Sequence, residues 1–350
     1  MCKTLESFRT VAWTESSKKQ AYTKGKAGNI IKKMTILTAI LCTYNRADSL
    51  KRTLDSLRDQ EALECEDAWE LLIVDNNSSD HTREVVKSFI ATAKMNVRYI
   101  FEPRQGKSYA LNTGIANSDG QILAFTDDDV IVDKRWVASI IEAGSRYPYE
   151  AFGGKVLPLW PNSIPPWIQA KGPYSRPIVG GPIPSHDRGE EVREYGEGMW
   201  VPIGCNMFFR REVFDKYGGF RTDLGPHGDI YGTNEDCEIG FRLINNGERV
   251  LYYPKAIIYH PVPRSRLSQE YVLRYLWSAG ITQARMNSPS SILGRSKRII
   301  KCVLLIVERS LKYLLSLSNS DISIRMHHKC FLYYLKGQIY FYTIGMNDTK

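Results

Sequence analysis

Ile122-Leu-Ala-Phe-Thr-Asp-Asp-Asp-Val130 decides the reading of this chain, because a short apolar run ends there in three consecutive carboxylates. A run of that length and character suits a strand buried on both faces of a parallel sheet. Asp127, Asp128 and Asp129 therefore stand where the strand leaves its sheet. Adjacent like charges repel, and capping a helix takes one carboxylate rather than three. A hard divalent cation, Mn2+ or Mg2+, bound through carboxylate oxygens offsets the repulsion, so a metal site is expected here. The competing reading is an acidic turn that opens a helix near Asp133.

The preceding segments repeat the pattern. Ile36 to Leu41 reads as a first strand and ends in Cys42-Thr43-Tyr44-Asn45-Arg46. A helix from Ala47 to Arg58 follows, with Leu50, Leu54 and Leu57 on one face. Glu70 to Val74 reads as a second strand ending in Asp75-Asn-Asn-Ser-Ser-Asp80, where Ser79 or Asp80 caps a helix through Val85, Val86 and Phe89. Val97 to Phe101 ends in Glu102-Pro-Arg-Gln-Gly-Lys107, and a helix from Ser108 to Ala116 leads back to the opening stretch. Strands and helices that alternate through short connections specify an α/β fold with a doubly wound, mostly parallel sheet flanked by helices. Such sheets bind ligands beyond the carboxyl ends of their strands. Four polar strand ends converge on that edge, which makes a ligand site the economical reading. Asp75 can accept hydrogen bonds from a base or ribose, and Arg46 and Lys107 can offset phosphate charge. A metal at Asp129 would bridge a diphosphate.

Beyond Arg146 the composition changes. Ala151 to Trp160 reads as a strand, but residues 161–197 are rich in Pro and Gly and read as a long functional or mobile loop. Trp160, Trp167, Tyr174 and Trp200 offer flat faces for sugar rings, with core packing as the alternative. Gly232-Thr-Asn-Glu-Asp-Cys-Glu-Ile-Gly-Phe-Arg-Leu243 then opens a helix. Thr233 with Asp236 fits a capping box. A carboxylate in a first helical turn is also held ionised by the dipole, as a general base requires, which singles out Glu235 and Asp236. Arg242 shares a face with Glu235 and is expected to stabilise it or reach a phosphate. Strands at Arg249 to Tyr252 and Ile257 to His260 follow, and His260 is a candidate metal ligand.

In that order these motifs resemble the glycosyltransferase family 2 enzymes of the GT-A fold. The likeness runs from Ile36 to about His260 and includes Gly106-Lys-Ser-Tyr-Ala-Leu-Asn112 and Gly218-Gly-Phe220. It implies inverting, metal-dependent transfer of a sugar from a nucleotide-diphosphate donor, UDP-linked in expectation, to a hydroxyl of a glycan or lipid-linked acceptor. Thr43, Tyr44, Asn45, Arg46 and Asp75 would contact the nucleotide, with Lys107, Asp127, Asp128 and Arg242 beside it. Asp129, with Asp127 and His260, would hold the metal, and Asp236 would be the base. Cys42 stands where the family usually has Pro, and the third Asp leaves open which two of the triplet act. Two rival readings are a nucleotidyltransferase that makes nucleotide sugars and a non-catalytic carbohydrate-binding protein. The first generally wants a Gly-rich loop after the first strand, which is missing here.

The chain has 350 residues, 43% hydrophobic and 24% charged, and reads as globular. Its seven cysteines are scattered and odd in number, which argues for a reducing, cytoplasmic setting. The net charge of +9 belongs to the ends. Residues 1–33 hold 8 Lys and Arg against 2 Asp and Glu, residues 285–350 hold 11 against 3, and the middle holds 28 against 33. Nucleic acid is therefore not an expected partner. An anionic membrane surface is, through a basic amphipathic helix at Ser296 to Ser316, at the cytoplasmic face. The division expected is a mobile basic tail (1–33), a nucleotide-sugar half (34–150), an acceptor and catalytic half (151–265) and a helical extension (266–350). Met34 opens the first strand so abruptly that it reads as an alternative start.

Overall fold

The computed structural model describes residues 35–61, 68–169, 171–196, 201–227 and 232–345. The expected tail, Trp200 and the segment 228–231 lie outside them. Four parallel strands build the first half of one sheet: β1 (Leu37–Thr43), β2 (Trp69–Asp75), β3 (Asn96–Phe101) and β4 (Ile122–Asp127). Alternate residues of each strand feed different cores, as the two-residue period requires. Leu37, Ala39 and Leu41 pack under α1 (Ala47–Arg58), α2 (Thr82–Ile90) and α4 (Trp136–Arg146). Ile40 and Cys42 pack on the other face under α3 (Lys107–Asn117), α5 (Glu212–Tyr217) and α6 (Glu235–Asn245).

The second half of the sheet brings in antiparallel pairings beside the parallel ones. The nine strands run in the order β3-β2-β1-β4-β8-β6-β9-β5, with β7 paired to β9. They include β5 (Ile131–Val132), β6 (Ala151–Leu159), β7 (Arg193–Glu194), β8 (Met207–Arg210) and β9 (Val250–Pro261). β8 is antiparallel to both β4 and β6, so the sheet is mixed and continuous across residue 150. The two short strands expected near residues 249–260 are one twelve-residue strand, in which residues 254–256 bulge opposite the Gly154–Lys155 step of β6.

Residues 161–196 are not a structureless loop. Trp167, Ile168, Ile178 and Ile183 are buried in a third core with Leu273 and Leu276 of α7 (Gln269–Met286) and Met326 and Cys330 of α9 (Ile322–Tyr340). Trp167 is thus a core residue, and Trp160 packs against the same cluster. Tyr174 meets the His327 ring edge-on. Helices α7 and α9 touch through glycine: a Cβ on Gly280 would lie 2.0 Å from the Tyr334 carbonyl, and one on Gly337 2.0 Å from that of Trp277. The remaining helix, α8 (Ile292–Leu315), runs along α9.

Candidate functional site

β4 carries Asp127 to the carboxyl edge, and Asp128 and Asp129 occupy the turn beyond it. Thr43, at the end of β1, donates its hydroxyl to Asp128 Oδ2 at 2.8 Å. Arg46 reaches Asp129 Oδ2 at 2.6 Å and Asp128 Oδ1 at 3.8 Å. Arg266, which the sequence reading missed, binds the same Asp129 oxygen at 2.8 Å from the short helix after β9. Burial pushes the Asp128 carboxyl up to about 7 against the opposing charge of Arg46. Burial would raise Asp129 too, but hydrogen bonding and charge from His260 and the charges of Arg266 and Arg46 hold it well below the usual range.

His260 lies 3.4 Å by Nε2 from Asp129 Oδ1, while its Nδ1 meets the Pro261 carbonyl at 3.0 Å. A proton on Nδ1, donated to that carbonyl, leaves Nε2 facing a carboxylate, so a proton or a cation must sit between them. Two ligands at roughly 2.2 Å on one octahedral ion stand about 3 Å apart, close to this separation. Asp129 and His260 therefore fit two positions of a metal shell. Asp127 does not join them: its Oδ1 accepts from Lys107 Nζ at 2.7 Å. Among the described residues no group of three His, Cys, Asp or Glu side chains stands ready to hold an ion. The three ligands expected from the sequence are not gathered into one group among the described residues.

Lys107 opens α3 just after Gly106, whose φ of 131° favours glycine. Asn76 fixes that turn by accepting from the Gly106 amide at 2.8 Å and donating to the Arg104 carbonyl at 2.7 Å. The Lys107 ammonium then spans Asp127 and Glu235, the latter at 3.5 Å. Burial pulls Lys107 down, but the charges of Asp127 and Glu235 outweigh it and hold the ammonium well above its usual range. Burial lifts Glu235 to about 7, opposed by Lys107 and assisted by Asp236. Glu235 is therefore a buried partner of Lys107. Asp236 is half-buried and fixed by two amides: Oδ2 accepts from Gly204 at 2.6 Å and Oδ1 from Cys237 at 2.8 Å. The Tyr275 hydroxyl is buried near Asp236, and that burial together with the Asp236 charge raises it.

Several expectations change at this point. No capping box forms: α6 starts at Glu235 after Asn234 at φ 71°, and Thr233 instead bonds Thr282 across to α7. Arg242 does not approach Glu235. It donates to the Tyr217 and Gly219 carbonyls and to Glu238, because a spacing of four residues sets it over Glu238 while Glu235 turns toward the sheet. Asp75 is buried, its oxygens accepting from the Tyr99 hydroxyl and the Ser78 amide at 2.8 and 2.9 Å. Asn45, at φ 49°, accepts from the Ser79 amide and ties the first two loops together. Tyr44 is half-buried beside it. Arg266, Gly204 and Tyr275 carried no local sequence signal, whereas Asn76 belongs to the polar end of the second strand that the sequence marks.

With this geometry established, comparisons add the lineage. The profile described as Glycosyl transferase family 2 matches residues 38–218, and a second, Glycosyl transferase family group 2, matches residues 188–347. Glycosyltransferase AglE of Haloferax volcanii is 28% identical over 213 residues, 60% of this chain and 64% of its own length, so the chain spans slightly under two thirds of that relative. A glucosyl-dolichyl phosphate glucuronosyltransferase of the same organism is 26% identical over 248 residues, 69% of this chain and 74% of that one. Among solved structures, the mannosyltransferase PcManGT of Pyrobaculum calidifontis, in complex with GDP-Man and Mn2+, aligns over 99% of this chain and 95% of its own at 16% identity and a TM-score of 0.57. That likeness establishes the GT-A-like fold.

Proposed function

Because the chain belongs to glycosyltransferase family 2, we propose that it transfers a sugar from a nucleotide-diphosphate donor to a hydroxyl of a glycan or lipid-linked acceptor, with inversion. The observation that carries this reading is the placing of Asp236: half-buried, fixed by the Gly204 and Cys237 amides, and next to Glu235, which Lys107 bridges to Asp127. Asp236 accepts the proton of the attacking hydroxyl. The two amide donors fix the orientation of the carboxyl that receives that proton. Arg46, Arg266 and Lys107 offset the diphosphate charge, and Tyr44, Asn45 and the loop fixed by Asp75 line the nucleotide. Asp129 and His260 would hold a divalent cation, which supplies charge neutralisation on the departing diphosphate. The lipid-linked acceptor draws support from the relative whose name includes a dolichyl phosphate.

The test is release of nucleoside diphosphate from a panel of UDP- and GDP-sugars with Mn2+ and candidate acceptors. Asp236→Asn is nearly isosteric, so turnover should fall about 10²–10⁴-fold with donor affinity retained. Near wild-type turnover in that variant would move the base to another residue.

A further inference from the structure

The 24 residues of α8 pack on α9 along one side, and Cys302 is the one fully buried residue of the helix. The opposite side carries Leu293, Ile300, Leu304, Val307, Leu311 and Leu314, each between 55% and 67% exposed. At 100° per residue these side chains form a continuous stripe roughly 80° wide along a helix about 36 Å long. Single exposed leucines are ordinary, but a stripe running the length of a helix marks a surface meant to be covered. Lys297, Lys301 and Lys312 edge the stripe. Arg298, Lys301 and Arg309 line a cavity of about 340 Å³ between α8 and α9, over Leu305, Phe331 and Tyr334. The Arg309 guanidinium stacks on the Phe331 ring at 4.4 Å. Lys312 is paired with Glu308, while among the described residues Lys297, Arg298 and Lys301 show no carboxylate partner.

We propose that α8 lies in the plane of an anionic bilayer surface, its apolar stripe in the acyl boundary and Lys297 and Lys301 at its edge on lipid phosphates. Charge decides between this occupant and a second copy of the chain. Two α8 stripes set face to face would offer Lys297 and Lys301 only Glu308, which is already paired with Lys312. Anionic phospholipid offers apolar surface and negative charge together. The helix rests on the bilayer without crossing it: no helix among the described residues is long and apolar enough to span. The inference goes beyond the proposed transfer reaction and does not depend on it.

The experiment is flotation of the full chain with phosphatidylcholine vesicles, with and without phosphatidylglycerol, in the absence of sugar donor. Binding is expected to the anionic vesicles alone and to be released by high salt. Leu304→Glu with Val307→Glu should abolish it at unchanged melting temperature, since both side chains are exposed. Lys297→Gln with Lys301→Gln should weaken it about thirtyfold. Equal binding to neutral vesicles, or binding indifferent to both pairs of substitutions, would overturn the proposal. So would a dimer in light scattering that Leu304→Glu dissolves, in a chain that ignores vesicles. Because no donor is present, these outcomes are independent of whether sugar transfer is observed.

Discussion

Replacing Lys107 by Met tests the link between charge and packing at the centre of the site. Lys107 stands 2.7 Å from Asp127 and 3.5 Å from Glu235, with side-chain exposures of 22%, 26% and 6%. Removing one partner of a buried charge pair costs about 3–5 kcal/mol. Since Lys107 and Asp127 are partly wetted, the low end applies, about 3 kcal/mol at pH 8. The cost must depend on pH, and its sign follows from Glu235. The folded carboxyl titrates near 7 against an ordinary 4.5. The folded state therefore binds the extra proton between those values, so stability falls as pH rises from 4.5 to about 7 and the full cost of ionised Glu235 is carried above it. Lys107 is charged in both states across this range and offsets that burden. Without it the Glu235 pKa climbs further and the burden above pH 7 grows. At pH 6 Glu235 is mostly protonated in either protein, so the loss shrinks to the Asp127 share, about 1–2 kcal/mol. Urea unfolding of the metal-free, donor-free protein at pH 6, 7 and 8 reads this directly. Glu235→Gln in the Lys107→Met background should recover most of the difference at pH 8. A cost that is the same at all three pH values, or unaffected by Glu235→Gln, would refute the assignment of Glu235 as the buried, proton-linked partner.

Two further outcomes follow from the ligand pair and from the loop that presents Lys107. His260→Ala should weaken Mn2+ binding measured calorimetrically with nucleoside diphosphate present, by at least the ~10–100-fold that loss of an outer-shell partner costs; unchanged affinity would remove His260 from the site. Glu102 accepts from the Arg104 amide and guanidinium at 2.8–2.9 Å, and those bonds, against burial, bring its carboxyl down to about 2. A depressed folded pKa stabilises above the ordinary value and is lost as pH falls through the folded one, so Glu102→Gln should cost about 1–2 kcal/mol at pH 7, discounted for the exposed Arg104, and close to nothing near pH 2. A pH-independent gap in stability would show that packing, not charge, is what Glu102 supplies.

The strand ends were legible because burial on both faces turns a strand into an unbroken apolar run, and the polar residues that follow mark the edge. Ala47–Arg58 emerges as a helix with the expected bounds, and its Leu50, Leu54 and Leu57 are all buried. The same reasoning could not find Arg266. It reaches Asp129 across 137 residues, and nothing in Arg-Ser-Arg at 264–266 distinguishes it from a solvated basic turn. Gly204 contributes a backbone amide, which has no residue signature at all. The segment after β6 was misread because Trp167, Ile168, Ile178 and Ile183 follow neither the strand nor the helix period. Their partners Leu273 and Leu276 on α7 and Met326 and Cys330 on α9 lie ninety or more residues away, and only those helices complete the core. Arg242 failed for a different reason. A shared helical face puts residues near one another, but Glu235 is drawn off that face by Lys107, leaving Glu238 as the nearer anion.

The charge count across the site connects the two halves of the proposed chemistry. Five carboxylates, Asp127, Asp128, Asp129, Glu235 and Asp236, are served by three cations, Arg46, Lys107 and Arg266. Fully ionised, these groups leave the edge negative before any donor arrives. A nucleoside diphosphate then enters a like-charged site, which the three cations alone do not neutralise. Two carboxyls answer that excess by holding protons near pH 7, Asp128 and Glu235, and both are buried. Asp236 differs from both in being half-buried and held by the Gly204 and Cys237 amides, with no cation paired to it among the described residues. The site thus separates two kinds of acid: buried carboxyls whose charge follows what is bound nearby, and one half-buried carboxyl that two amides hold in place, the group assigned in the proposed reaction to the acceptor proton. A divalent cation at Asp129 and His260 would remove the remaining excess, so donor affinity and metal affinity are expected to rise together, each through the other's charge.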